Sequence, residues 1–312
     1  MRNLIKNSSI DFIGRQREAM ILSSALIVIS LLAILIRGMN LGVDFTGGYT
    51  IEVGYEQAPN LETIRGAMAA AEMPDSQVQT FGKSTDVLIR MAPREDLSSA
   101  DVSTEVLRVL DSVSDSPISI RRVEFVGPQV GEELREKGGI AVLTALFFIV
   151  VYIWFRFEKK FSVGSVLALV HDVIITVGIF ALFQIEFDLT ILAAILAVIG
   201  YSLNDTIVVF DRIRENFLLL RSETPSEVMN VSINQTLSRT VITSLTTLLV
   251  LLSLFLFGGK IINGFALALI IGVVVGTYSS IFVASVSVLR LGITKEDLMP
   301  VEKEGADLES TP

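Results

Sequence analysis

Six long apolar runs constrain this chain more than any other feature. A helix needs about 20 mostly apolar residues to cross a bilayer, where its backbone groups find partners only within the helix. Ala19 to Ile36 carries no charge, and Gly138 to Phe155 follows it after a long polar stretch. Phe161 to Ile185 is interrupted by His171, Asp172 and Gln184, and Leu189 to Phe210 by Asn204 and Asp205. Thr240 to Gly259 and Ile261 to Leu289 are uncharged. Of the 312 residues 51% are hydrophobic and 19% charged, against about 25% charged in a soluble domain. The first run is followed by Arg37-Gly38-Met39 with no A-x-A site, which reads as a retained span rather than a cleaved signal peptide.

Lys and Arg in short loops set orientation. Arg2, Lys6, Arg15 and Arg17 precede the first run, and Arg156, Lys159 and Lys160 separate the second and third. Arg212, Arg214, Arg221 and Arg239 lie around the fourth-to-fifth connection, and Arg290, Lys295 and Lys303 follow the last. The opposite short loops hold only Lys260. Both termini (residues 1–18 and 290–312) are therefore expected in the cytoplasm, with residues 37–137 outside, between span 19–36 and the five spans within 138–289.

Residues 37–137 hold 17 acids and 10 bases. Tyr49 to Tyr55 alternates as a strand, and Leu61 to Ala71 has helical spacing. Val78 to Phe81 and Val87 to Met91 flank the turn Gly82-Lys83-Ser84-Thr85. Leu97 to Leu110 returns to helical spacing, and Ile118 to Val126 to a strand. That order is the ferredoxin-like split βαβ arrangement. The expected fold is an α-helical integral membrane protein of six transmembrane helices, with one α+β ferredoxin-like exported domain between helices 1 and 2.

Composition removes several function classes. The 34 acids against 25 bases leave a net charge of −9, which disfavours nucleic acid as a partner because phosphate neutralisation needs clustered bases. The absence of Cys excludes thiolate catalysis and disulfides, and a single His excludes HExxH. Gly82-Lys83-Ser84 resembles the end of a P-loop, but Gln77 stands where its first Gly belongs, and Gly258-Gly259-Lys260 is followed by Ile261. No nucleotide site, metal site or enzyme activity is expected.

Ionisable residues inside spans are costly and are functional candidates by default. Low dielectric disfavours a charged carboxylate and a nearby cation favours it, so Asp205 is placed to exchange protons, or else to pair structurally with Arg239. Asp172 lies 11 residues beyond Phe161, about 16 Å into its span. With His171 it forms either a proton relay or, for the imidazole, an ordinary hydrogen bond between helices. Arg212 follows Asp205 by two turns and could gate a cytoplasmic path; the rest of Asp211 to Glu215 reads as a solvated helix extension. Gly264, Ala268, Gly272, Gly276, Ser280 and Ala284 recur every four residues, a stripe that lets another helix approach closely.

Leu41-Gly42-Val43-Asp44-Phe45-Thr46-Gly47-Gly48 resembles the hallmark that follows the first span in the SecD/SecF family, of the resistance-nodulation-division superfamily. Val123 to Gly131 resembles that family's approach to its second span. His171-Asp172-Val173, Ile199 to Asn216 and Leu237-Ser238-Arg239-Thr240 follow the SecF side of the family rather than the SecD side. The resemblance implies an accessory subunit of the Sec translocase in the bacterial inner membrane, driven by the proton motive force and needing no cofactor. Implied partners are a SecD-like subunit, the SecYEG channel, YajC, YidC and unfolded preprotein. The resemblance implies that Asp205 and Arg239 take part in ion coupling; Asp172, Asn204, His171 and Arg212 complete the expected ion-coupling set. A half-size efflux transporter of the same superfamily is the competing expectation.

Overall fold

The computed structural model describes residues 10–74, 76–94, 99–114, 116–220 and 222–298, without the side chains of Ser99, Lys260 and Ile261. Arg2, Lys6, Arg221, Lys303, the start of the expected helix at Leu97, the Lys260 side chain and the outer parts of both terminal segments lie outside the described residues.

Among the described residues six helices are long and apolar enough to cross a membrane. They are α1 (Gln16–Arg37), α5 (Pro128–Arg156), α6 (Lys159–Phe183), α7 (Leu189–Leu219), α8 (Pro225–Phe257) and α9 (Lys260–Ser279). The last continues through a π turn (Ser280–Ala284) into α10 (Ser285–Arg290). Between α1 and α5 lie α2 (Val43–Thr46), β1 (Gly48–Tyr55), α3 (Leu61–Ala70), β2 (Gln77–Phe81), β3 (Lys83–Met91), α4 (Ser99–Asp111) and β4 (Ile118–Val126).

Several helices outrun their apolar cores. Helix α8 starts at Pro225, not near Thr240, because Thr224 and Glu227 form a capping box and Pro225 occupies the first turn, where its missing N–H costs nothing. Helix α7 is capped by two carboxylates: Asp188 accepts from the Ile191 amide at 2.8 Å and Asp44 from the Leu189 amide at 3.0 Å. Negative charge there complements the helix dipole.

The sheet order is β2-β3-β1-β4 with every pairing antiparallel, the ferredoxin-like arrangement. Side chains alternate along β1, so Tyr49, Ile51, Val53 and Tyr55 enter the core beneath Ile64 and Met68 of α3 and Val102, Val106 and Leu110 of α4. The hairpin is tighter than the expected four-residue turn. Gly82 alone, at φ 83°, connects β2 to β3, and a bulge at Thr80/Phe81 takes up the mismatch.

The domain is seated on the bundle through Gly47 and Gly48, both at positive φ. A Cβ on Gly48 would overlap the Met91 carbonyl, and one on Gly131 would lie 2.7 Å from the Gly47 amide nitrogen. Only bare backbone lets the start of β1 pass between the end of β3 and the first turn of α5.

Helices α6, α7 and α9 form the inner part of the bundle, each with half of its apolar window buried, while α1, α5 and α8 are mostly exposed. The small-residue stripe of α9 lies against α7. A Cβ on Gly264 would meet Ile191 at 3.1 Å, one on Gly276 would meet Ser202 at 3.0 Å, and one on Gly272 would overlap Val198. Ala268, Ser280 and Ala284 are fully buried.

Candidate functional site

The inner helices converge on one fully buried carboxylate. Asp172 of α6 is 0% exposed. Its Oδ1 lies 2.8 Å from His171 Nδ1, while Oδ2 accepts from the Ser202 hydroxyl of α7 and from the Ser279 hydroxyl of α9 at 2.7 Å. Three helices thus meet on one acceptor. Charge-assisted bonds of this kind are the strong ones, and the low dielectric around them raises the cost of losing any.

His171 does not make the expected bond to another helix. Its Nδ1 is taken by its sequence neighbour, and its Nε2 is buried without a hydrogen-bond partner. The ring stacks on Tyr278, with centroids 6.3 Å apart, and the Tyr278 hydroxyl donates to the Ala19 carbonyl of α1 at 2.7 Å.

Asp205 lies one turn beyond Ser202 on α7 and so shares its face. It is 3% exposed, and its Oδ2 makes no hydrogen bond. Arg239 is within electrostatic range, yet no ion pair joins the two within 4.0 Å. The reason is helical phase. Thr236, Thr240 and Ser244 carry the buried stripe of α8, and Arg239, about 100° off it, is exposed. The same stripe carries the Thr240 hydroxyl, buried without a partner, and Ser244, whose hydroxyl is beside Asp205 and is bonded to Thr277 of α9 at 2.7 Å.

Asn204 is exposed on another face of α7 and does not join this group. Arg212 is held away from Asp205 by Gln235 at 2.5 Å and Glu215 at 2.6 Å. The segment after the fourth span is more than a solvated extension. Arg156 binds both oxygens of Asp211 at 2.8 and 2.7 Å, and Arg214 binds Glu158 at 2.8 Å, fixing the end of α7 to the turn between α5 and α6. Ser202, Ser279 and the π turn were not singled out in the sequence; isolated serines in an apolar helix carry no distinguishing signal.

At the domain end of the bundle, Asp44, Glu186 and Asp188 face Glu52, Glu124 and Arg122 of the sheet across a cavity of about 360 Å³. Among the described residues no three His, Asp or Glu side chains are grouped to hold a metal ion. The arrangement offers two buried carboxylates on adjacent helices, Asp172 saturated with donors and Asp205 not. A carboxylate so placed can bind and release a proton or a small cation.

The family described as "Protein export membrane protein SecD/SecF, C-terminal" matches residues 106–294, and the "SecD/SecF GG Motif" matches residues 32–59, which include Gly47 and Gly48. The protein translocase subunit SecF of Vibrio alginolyticus is 50% identical over 306 residues, covering 97% of each chain. That of Pseudomonas aeruginosa is 49% identical, covering 95% of this chain and 96% of its own. Among solved structures, SecDF of Thermus thermophilus, described as a translocon-associated membrane protein, superposes with a TM-score of 0.83 at 39% identity. The match covers 91% of this chain and 39% of that one. SecDF in a super-membrane-facing form superposes with a TM-score of 0.67, over 90% of this chain and 38% of that one. With half-identical relatives along nearly its whole length and six apolar helices in the matching arrangement, the chain is a multi-pass membrane protein that belongs to the SecD/SecF family.

Proposed function

We propose that this chain is the SecF-type subunit of a Sec translocase, and that it couples a transmembrane proton gradient to preprotein export together with a SecD-like subunit. One observation carries the coupling reading. Asp205 is buried in the membrane-spanning bundle with an unpartnered oxygen, one turn from a hydroxyl that reaches the second buried carboxylate, Asp172. A carboxylate in such a place is costly, and Asp205, with Ser244 beside it and Arg239 within electrostatic range, keeps one oxygen free of hydrogen bonds. Asp205 is the ion carrier, Arg239 the cation that responds to its charge, and Asp172 with His171 the neighbouring polar centre.

The bias of basic residues places both termini in the cytoplasm and the α+β domain on the outer face of the bacterial inner membrane, where it meets unfolded preprotein. The SecYEG channel, YajC and YidC complete the expected assembly. The chain spans under two fifths of the solved SecDF chains, in keeping with a partner that supplies the remainder.

The test is late-stage preprotein translocation into membrane vesicles, with and without an imposed gradient. Asp205→Asn keeps the size and hydrogen bonding of the side chain but cannot ionise. It is expected to abolish gradient-driven stimulation while folding and partner binding persist, and Asp205→Glu to retain part of it. Equal stimulation in the Asn variant and the parent would remove Asp205 as the carrier.

A further inference from the structure

We propose that Ser279 is a positioning residue that ties the Asp172 carboxylate to the helical register of the sixth span. The observation is a coincidence of place. Ser279 is the last residue of α9, the next five residues form a π turn, and the Ser279 hydroxyl is bound to Asp172 of α6. A π turn admits one extra residue into the helical circuit and is uncommon. No proline or glycine stands between Thr277 and Arg290 to impose it. What the segment has is a tertiary bond at its leading edge.

Ser279 has two acceptors within reach, Asp172 Oδ2 at 2.7 Å and the Gly276 carbonyl of its own helix at 3.1 Å. A hydroxyl has one proton to donate. While Asp172 attracts it, Ser279 is drawn toward α6. When Asp172 stops being the better acceptor, the hydroxyl turns back onto its own helix and nothing holds the extra residue. Resolving the π turn into α-helix advances the following segment by one residue, a rotation of about 100°. Helix α10 would then turn relative to α9. Val286 and Val288, both fully buried, would leave their seats; Val288 and the Ala284 carbonyl now occupy the space beside Gly164 of α6. The state of one carboxylate in the middle of the bundle is thereby expressed at the far end of the sixth span.

The titratable groups on the helices packed around Asp172 are few. His171 is on the same helix. Helix α7 brings Asp205 and also Tyr201, whose hydroxyl points to Thr247. Helix α9 brings Tyr278; further charges lie toward helix ends, at Arg17, Glu18 and Arg37 of α1, between Glu132 and Lys137 and at Arg156 of α5, between Asp211 and Glu215 of α7 and at Arg290 of α10, while Tyr152 of α5 and Arg239 of α8 are exposed. Of these, the structure bonds only His171 to Asp172. The inference rests on the ion-coupling reading only in giving Asp172 a reason to change state; the register device itself is tested without a gradient or a preprotein.

The chain contains no cysteine, so a single Val288→Cys reporter in the full-length protein, held in lipid nanodiscs, reads the rotation by maleimide labelling. Labelling is expected to be slow in the reporter parent and at least about tenfold faster with Ser279→Ala, in proportion to the population of the turned state. Ser279→Thr keeps the hydroxyl and should stay slow, whereas Ser279→Val, of the same shape, should be fast. That pair also serves if the Ala variant does not fold. Asp172→Leu should label as fast as Ser279→Ala, and the double variant no faster than either. Ser202→Ala removes the other hydroxyl from Asp172 while leaving Ser279 and its bond in place, and should remain slow. Fast labelling of the parent, slow labelling of Ser279→Ala, equal rates for the Thr and Val variants, fast labelling of Ser202→Ala, or multiplied rates in the double variant would each overturn the proposal. Loss of gradient-driven export at Asp205 has no bearing on this readout, so the two readings fail separately.

Discussion

Arg90 of β3 and Glu186 of the loop between α6 and α7 form an ion pair that fastens the α+β domain to the membrane bundle. The Arg90 side chain is 8% exposed. Burial lowers its pKa below the usual guanidinium value, and the charge of Asp188 works in the opposite direction. Backbone bonds run beside the pair: Gly42 donates to the Phe187 carbonyl at 2.9 Å, and Phe187 to the Asn40 carbonyl at 2.8 Å. The α6–α7 loop is thus part of the domain's footing.

Glu186→Gln should therefore weaken the seat, since it removes the carboxylate in direct contact with a buried guanidinium and leaves only the charge of Asp188 acting on it. The partial exposure of Glu186 limits the cost to about 1–2 kcal/mol. The expected result is a lower melting temperature in detergent and faster proteolysis at the domain junction. Arg90→Met with Glu186→Gln should recover part of the loss, because no unpaired charge remains.

Tyr55 predicts an alkaline limit for the domain. Its hydroxyl is buried without a partner, and burial, helped by the charge of Asp111, pushes its pKa up to about 12 from 10.0. Between those values the unfolded chain has lost the proton that the folded domain keeps, so stability falls as pH rises from about 10 to about 12. Below pH 10 the group contributes no pH dependence. Tyr55→Phe should flatten this part of the profile and add about 1 kcal/mol at neutral pH by removing an unsatisfied hydroxyl. Circular-dichroism melting of the solubilised chain across that range checks both.

Close packing of α9 on α7 predicts a graded response along the stripe. Gly272→Leu forces a branched side chain into Val198 and should destabilise the bundle by about 1–3 kcal/mol. Gly276→Ala is milder in volume, but its new methyl meets Ser202, which donates to Asp172. Its expected signature is reduced gradient-driven export at nearly parental melting temperature. An export rate unchanged from the parent would show that Ser202 tolerates displacement.

Sidedness is tested by reporter fusions. A reporter joined after Asp75 should be active only if it works outside the cytoplasm, and one joined after Ser222 only if it works inside. Reversal of either result would overturn the orientation drawn from loop charge.

The spans were legible because apolar runs of this length have few other fates in water or lipid, and the domain because its strand–helix order admits the ferredoxin-like sheet. The site was legible one residue at a time, not as an assembly. Asp172 and Asp205 stand out in any apolar run, but the partners of Asp172 lie 30 and 107 residues away. Arg239 looked like the mate of Asp205 because charge was visible and helical phase was not; it is the immediate neighbour of the buried Thr240. The π turn had no signature, since Ser279-Ser280-Ile281 suits an α-helix equally well and a tertiary bond decides between them. Glu186 was not singled out, because its partner belongs to another domain.

The chain's opening segment is clasped by its fifth span. The Ile10 amide donates to Asn234 Oδ1 at 3.0 Å, Asn234 Nδ2 returns a bond to the Ile10 carbonyl at 2.8 Å, and the Phe12 amide donates to Asn230 Oδ1 at 2.8 Å. Phe12 and Ile13 share their core with Phe217, Val228 and Met229. Synthesis runs from the N-terminus, so the segment ahead of the first span obtains its asparagine partners only after more than two hundred further residues have been made. Biogenesis thus secures an early segment late, and a chain halted after its fourth span would leave that segment unmoored.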